Sequence, residues 1–303
     1  MKSFNMSFIL IAFGAPLFFG IAVLIESRLA NATFKKPISM IFYVSLMNIL
    51  FLPLLLLLGK PSLPSGEVFM YYSIIAAIGI AYLYPYYMAM KVIDTSIIAA
   101  LFSLGQITIP IMSYFLLKEK LTLAQYIGFA IIVMSSIALS IKGKKIPKLN
   151  KAFYYMLFSA IIVSFSAVLE KYVLTINDNW INLIFYPNFI SGFIPFFFLF
   201  IKKWRKDIIK NFHTYKTKIK IFMLNEFICF IGAVCGIYAL SGLSPTITKS
   251  IGATQPIIMI SISLFLLKKF NIPLKEKISH QVMLKKIFCF ILIILGVILV
   301  TNQ

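Results

Sequence analysis

The chain has 303 residues, 61% of them hydrophobic and 13% charged, with a mean hydropathy of +0.96. A soluble protein carries about 25% charged residues, so the composition excludes a water-soluble globular domain and points to the bilayer. The formal charge of +20 does not mark a nucleic-acid binder, because the Lys and Arg residues sit mainly in short loops between apolar runs, as membrane topology requires.

A helix crossing about 30 Å of hydrocarbon needs about 20 apolar residues. Such runs occur at 6–26, 38–58, 68–90, 95–116, 122–141, 152–174, 180–201, 219–240, 244–267 and 284–301. Lys2, the apolar run and Ala30-Asn31-Ala32 imitate a secretory signal. The run is longer than a signal core and aligns with the sixth run, so it reads as an uncleaved first helix. A β-barrel is excluded, because its strands alternate polar and apolar over about 10 residues. The longest soluble pieces, 202–218 and 268–283, are too short for a domain.

The chain reads twice, at an offset of about 145 residues. Phe8, Phe13, Ala15, Ala22, Val23 and Leu24 meet Phe153, Phe158, Ala160, Ala167, Val168 and Leu169. Further on, Ile38, Ile41, Phe42 and Tyr43 meet Ile181, Ile184, Phe185 and Tyr186, and Ser113, Phe115, Leu116, Leu117 and Lys118 meet Ser263, Phe265, Leu266, Leu267 and Lys268. Each half holds five runs, and an odd number turns the second copy upside down. The expected fold is therefore an all-α integral membrane protein, with ten transmembrane helices as two inverted five-helix repeats. These are residues 1–141 and 152–303, joined by a basic hinge at 142–151. Inverted repeats are an architecture of alternating-access transporters.

Of the 29 Lys and Arg residues, 23 fall in the odd-numbered connectors and 5 in the even ones and the termini. Lys/Arg enrichment marks cytoplasmic loops. The odd connectors are therefore expected in the cytoplasm and both termini outside, in a bacterial inner membrane.

Residues 81–141 resemble the EamA-type carriers of the drug/metabolite transporter superfamily. The resemblance rests on Tyr87-x-Ala89-x-Lys91, a small-residue helix, then Phe115 to Leu121, Gln125 and Gly128. A second copy runs through Tyr238 to Leu240, Gln255-Pro256, Phe265 to Lys269 and Gly296. Two departures stand out. Glu119 follows the Leu-Leu pair in the first copy where Lys269 follows it in the second, and Gln106 takes the place of Pro256, with Pro110 one turn on. The resemblance implies a ten-helix carrier. The family's usual orientation has both termini cytoplasmic, opposite to the charge count.

Charges inside a bilayer are costly and usually line a cavity or pair. Glu26, Lys91, Asp94 and Glu226 belong toward the face of the odd connectors; Glu170, Lys171 and Lys249 belong toward the other. Glu170 and Lys249 either gate that face or form a headgroup-level pair with snorkelling side chains. Glu226, beside Asn225, is either a proton carrier or an interfacial carboxylate held by Lys220. Glu26 shares the gating or proton-coupling role.

Pro256 withdraws an N–H midway along its run, which makes either a broken-helix substrate site or a packing kink. Around it cluster Thr248, Ser250, Thr254 and Gln255, and across the repeat lie Ser103, Gln106 and Thr108. Tyr82, Tyr84, Tyr86 and Tyr87 surround a second helix break at Pro85. With Phe18, Phe19 and Trp180 they form either an aromatic wall for a ring or cation or an interfacial belt. The substrate-binding candidates are thus Ser103, Gln106, Gln255, Thr254, Tyr82, Tyr86 and Phe19. Gly232-x-x-x-Gly236 permits close helix packing.

Cys229, Cys235 and Cys289 lie in apolar runs and read as small hydrophobes. Neither His213 nor His280 sits at ligand or dyad spacing. No metal, cofactor or catalytic set is expected. The function implied is secondary transport of a small metabolite (an amino acid, amine or nucleoside-like solute), with a proton or counter-solute as possible partner. One monomer suffices for a cavity. The alternative is a lipid or lipid-linked sugar flippase on the same helix plan.

Overall fold

A computed structural model describes residues 2–32, 34, 36–92, 98, 101–102, 105–140, 151–259, 261–262 and 280–301. Every regular element among them is helical. In chain order these are α1 (Lys2–Ala12), α2 (Gly14–Ala32), α3 (Pro37–Phe51), α4 (Gly66–Ala81), α5 (Leu83–Met90), α6 (Thr108–Leu117) and α7 (Leu123–Ser140). They continue with α8 (Lys151–Ile176), α9 (Trp180–Phe193), α10 (Lys202–Gly242), α11 (Pro245–Gly252) and α12 (His280–Thr301). Six stretches are long and apolar enough to cross a membrane: Met6–Ala30, Pro37–Leu57, Gly66–Met90, Lys151–Ile176, Trp180–Phe200 and Lys202–Gly242. Thr108–Leu117, Leu123–Ser135 and Ile291–Val300 are shorter apolar helical stretches, the last two within α7 and α12. The hinge residues 142–150, Asp94, Ser103 and 263–279 lie outside the described residues.

Proline sets most of the interruptions. Pro16 cannot bond back to Ala12, and the first span breaks at Phe13 between α1 and α2. Pro85 cannot bond to Ala81, and the third span breaks at Tyr82 between α4 and α5. The second span of each half ends alike: α3 tightens into a 3-10 turn at Leu52–Leu57 carrying Pro53, and α9 does so at Ile194–Phe200 carrying Pro195. Side-chain caps start other helices. Ser65 Oγ accepts from Val68 N, Ser244 Oγ from Ile247 N, and Asn179 Oδ1 from Ile181 N at 3.1 Å. Lys118, with φ +55°, closes α6 in the left-handed conformation.

The stretch 202–218, expected as a soluble piece between two spans, is helical. It is the N-terminal part of the 41-residue helix α10. It docks back on α3, where the Tyr43 hydroxyl donates to Ile208 O at 2.7 Å and Tyr43 stacks on Tyr215 at 4.1 Å. Lys36 Nζ bonds both Asp207 oxygens at 2.8 and 2.6 Å. Helical backbone satisfies its own polar groups, so this basic segment leaves the apolar region without unwinding.

The helices pair across the two halves. α2 packs along α10, α5 along α8, α3 along α9, and α7 along α12. Glycine allows the closest approach. A Cβ on Gly128 would stand 2.7 Å from Gly296 O, and one on Gly296 would stand 2.8 Å from Gly128 O. The largest buried cluster joins Val23 and Ala30 of α2, Tyr86 and Tyr87 of α5, and Phe222 of α10. Apolar side chains such as Leu57, Phe197 and Phe200 cover the outside, as a surface in contact with lipid requires.

Candidate functional site

Two acidic residues from opposite halves meet inside the helix packing. Glu26 of α2 and Glu226 of α10 are 8% and 2% exposed. Their carboxylate oxygens and the Cys229 thiol lie within 4.8 Å of one another. The Tyr86 hydroxyl donates to Glu26 Oε2 at 2.8 Å, and that of Tyr87 to Glu26 Oε1 at 3.4 Å. Asn225, fully buried, donates from Nδ2 to Glu226 Oε1 at 2.7 Å. Its Oδ1 is buried without a partner. Tyr82 lies within electrostatic reach of Glu26, Glu226 and Cys229.

Helical spacing explains which tyrosines take part. Residues four apart share a helix face, so Tyr82 and Tyr86 come together, with centroids 6.0 Å apart. Tyr87 adjoins Tyr86 at 5.1 Å, and Phe102 closes the other side at 5.5 Å. Tyr84 points outward, 45% exposed. Trp180 packs instead on Tyr238, with centroids 5.2 Å apart. The expected aromatic wall thus reduces here to Tyr82, Tyr86, Tyr87 and Phe102. Phe19, two turns before Glu26 on α2, lies against Gly232 of α10, where an added Cβ would meet its ring at 3.2 Å. Pro85 is buried beside the tyrosines, in the first turn of α5. Partial burial draws the Lys91 amine, just beyond α5, below its ordinary range.

A second polar region follows the two interrupted helices. α6 begins at Thr108 after a turn at Gln106 and Ile107, and α11 ends at Gly252 before a turn at Ala253 and Thr254. Gln106 Oε1 is buried without a partner. Thr254 spends its hydroxyl on Ile251 O at 2.7 Å. The Gln255 side chain lies against α2, where a Cβ on Gly20 would stand 3.7 Å from its Cγ. Pro256 follows the break directly.

Glu170 accepts from Ser166 Oγ at 3.1 Å and feels Lys249 through space. Lys171 caps the end of α10 by donating to Leu240 O at 2.8 Å and Ser241 O at 3.2 Å. Nearby, a cavity of about 440 Å³ is lined by Glu119, Lys120, Thr122, Gln125 and Ser244. Thr246 Oγ1 donates to Glu119 Oε2 at 3.2 Å, and Glu119 Oε1 is buried without a partner.

Sequence reasoning passed over Cys229 as a small hydrophobe and took Asn225 only as a neighbour of Glu226. The available signal was spacing. Glu226 and Cys229 are three apart and share a face of α10.

These apolar helices are those of an integral membrane protein. Residues 6–141 match the EamA-like transporter family, in line with the drug/metabolite resemblance. No curated protein sequence matches the chain. One solved crystal structure superposes with a TM-score of 0.62 at 14% identity, covering 97% of this chain and 96% of the other. At that identity the likeness concerns the fold alone.

Proposed function

We propose that the protein is a secondary transporter that moves a small metabolite across the cytoplasmic membrane by alternating access. The observation that carries the proposal is the Glu26–Glu226 centre. It joins a helix from each half, and its two carboxylates are buried within 4.8 Å. Such a centre is costly in an apolar interior unless it serves binding. It favours a solute bearing an amine or several hydrogen-bond donors, with Tyr82 and Tyr86 offering ring faces. Amino acids, amines and nucleoside-like solutes fit that description.

Ten spans in two inverted repeats are the proposed plan. Reciprocal packing supports it: the first span of each half lies along the third span of the other, α2 on α10 and α8 on α5. The breaks near Gln106 and Thr254 fall at corresponding places in the two halves. The cavity beside Glu119 is proposed as the vestibule at the opposite end, with Glu170 and Lys249 as its gate.

The test is thermal stability of the purified protein against amino acids, amines and nucleosides, followed by uptake into proteoliposomes. A ligand that binds the folded state raises the melting temperature by mass action. A stabilising solute that is transported, and whose effect shrinks in Glu226→Gln, is the expected result. No stabilising solute, together with flipping of a lipid-linked sugar in liposomes, would replace this function with the flippase.

A further inference from the structure

We propose that Glu26, Glu226, Cys229 and Asn225 form a binding site for one divalent transition-metal cation of the size and softness of Zn²⁺ or Co²⁺. Two carboxylates and a thiol lie within 4.8 Å of one another. Metal–oxygen bonds of about 2.0–2.2 Å and metal–sulfur bonds of about 2.3 Å put the ligand atoms of one tetrahedral ion about 3.3–3.8 Å apart, inside that 4.8 Å limit. The three residues come from only two helices. Glu226 and Cys229 share a face of α10, and α2 brings Glu26 against it.

Asn225 supplies the independent observation. Its side chain is fully buried, yet Oδ1 has no partner. Buried polar atoms are rarely left so, and each such atom needs a cause. The amide lies inside the cluster, with Nδ2 at 2.7 Å from Glu226 Oε1 and 3.9 Å from Cys229 Sγ. A half-turn of the amide gives up the Nδ2–Glu226 bond and puts Oδ1 in its place, which completes four donors, the usual number for zinc.

Charge points the same way. Among the described residues, the hydrogen-bond partners of the two carboxylates are Tyr86, Tyr87 and Asn225, and the salt bridge lies elsewhere, between Lys36 and Asp207. A divalent ion supplies the missing positive charge. The sulfur selects against Mg²⁺ and Ca²⁺, which take oxygen ligands. The tyrosine hydroxyls on Glu26 act as outer partners that orient a ligating carboxylate. On binding, a metal–sulfur bond forms and the thiol proton leaves to solvent.

The ion would occupy the centre assigned to transport, but its binding is read at equilibrium without transport, so either proposal can fail alone. Full-length protein in detergent is titrated with Co²⁺ while sulfur-to-cobalt charge-transfer absorbance is followed. One equivalent should bind with that band. Cys229→Ser should abolish the band, and Glu226→Gln should weaken binding at least about tenfold. Cys235→Ser and Cys289→Ser should keep it. A wild-type protein without the band, or binding that survives both Cys229→Ser and Glu226→Gln, overturns the site. Should those variants fail to fold, alkylation of wild-type Cys229 decides. Co²⁺ should protect it from a membrane-permeant thiol reagent, and equal modification with and without the metal overturns the site.

Discussion

The Tyr86 hydroxyl donates to Glu26 Oε2 at 2.8 Å. This bond joins the third span to the first at the point where the second half contributes Glu226. Removing the donor strands a buried carboxylate oxygen, so Tyr86→Phe should cost about 1–3 kcal/mol. Tyr84→Phe, on an outward side chain that is 45% exposed, should cost less than about 0.5 kcal/mol. Thermal unfolding of both variants in one detergent checks the contrast.

Glu226→Gln should separate stability from activity. The substitution keeps an acceptor for Asn225 Nδ2 and removes an ionisable carboxyl beside Glu26. Replacing a buried ionisable group with a neutral amide raises the melting temperature, while transport falls about tenfold or more, the trade-off expected of a strained functional site. Full transport in this variant would remove Glu226 from the mechanism.

The Gly128–Gly296 contact leaves no room for a side chain. Gly128→Ala would place Cβ 2.7 Å from both Gly296 O and Leu299 Cβ. Overpacking of this kind costs about 1–3 kcal/mol. Gly79→Ala, where nothing lies within 4 Å, should instead stabilise α4 by about 0.4–1 kcal/mol through the unfolded chain. Paired melting curves test both signs.

If Glu170 and Lys249 act as a gate, exchanging their charges should preserve it. Glu170→Lys and Lys249→Glu should each slow uptake, and the double variant should recover most of the rate. A double variant as slow as the worse single one would leave the two residues independent.

The Lys36–Asp207 ion pair is short at 2.6 Å, but Lys36 is 51% exposed. Solvent screens such pairs to about 0–1 kcal/mol. Asp207→Asn should shift stability by less than about 1 kcal/mol, and the difference should vanish in high salt. Melting curves at two ionic strengths measure it.

Much of the fold was legible because its causes are local. Apolar length sets the spans, and Pro85 disturbs its helix from within its own segment. The continuation of α10 through 202–218 was not legible. Its lysines resemble a loop, and a basic segment stays helical here by docking Ile208 and Tyr215 on Tyr43. Among the tyrosines, the one-dimensional cluster 82–87 could not say which rings meet, because that depends on the neighbouring helices.

By itself, the sequence determined that this chain lies in a membrane, where its main apolar helices run, and that its N-terminal half resembles the EamA-like family. Hydrophobic length and helix-breaking residues act within one segment, so they can be read in one dimension. Only the tertiary structure decided that Glu26 meets Glu226, Cys229 and Asn225 while Trp180 goes elsewhere. Those contacts depend on α2 settling against α10 from the other half of the chain, and no local pattern records which buried polar groups that packing brings within bonding distance.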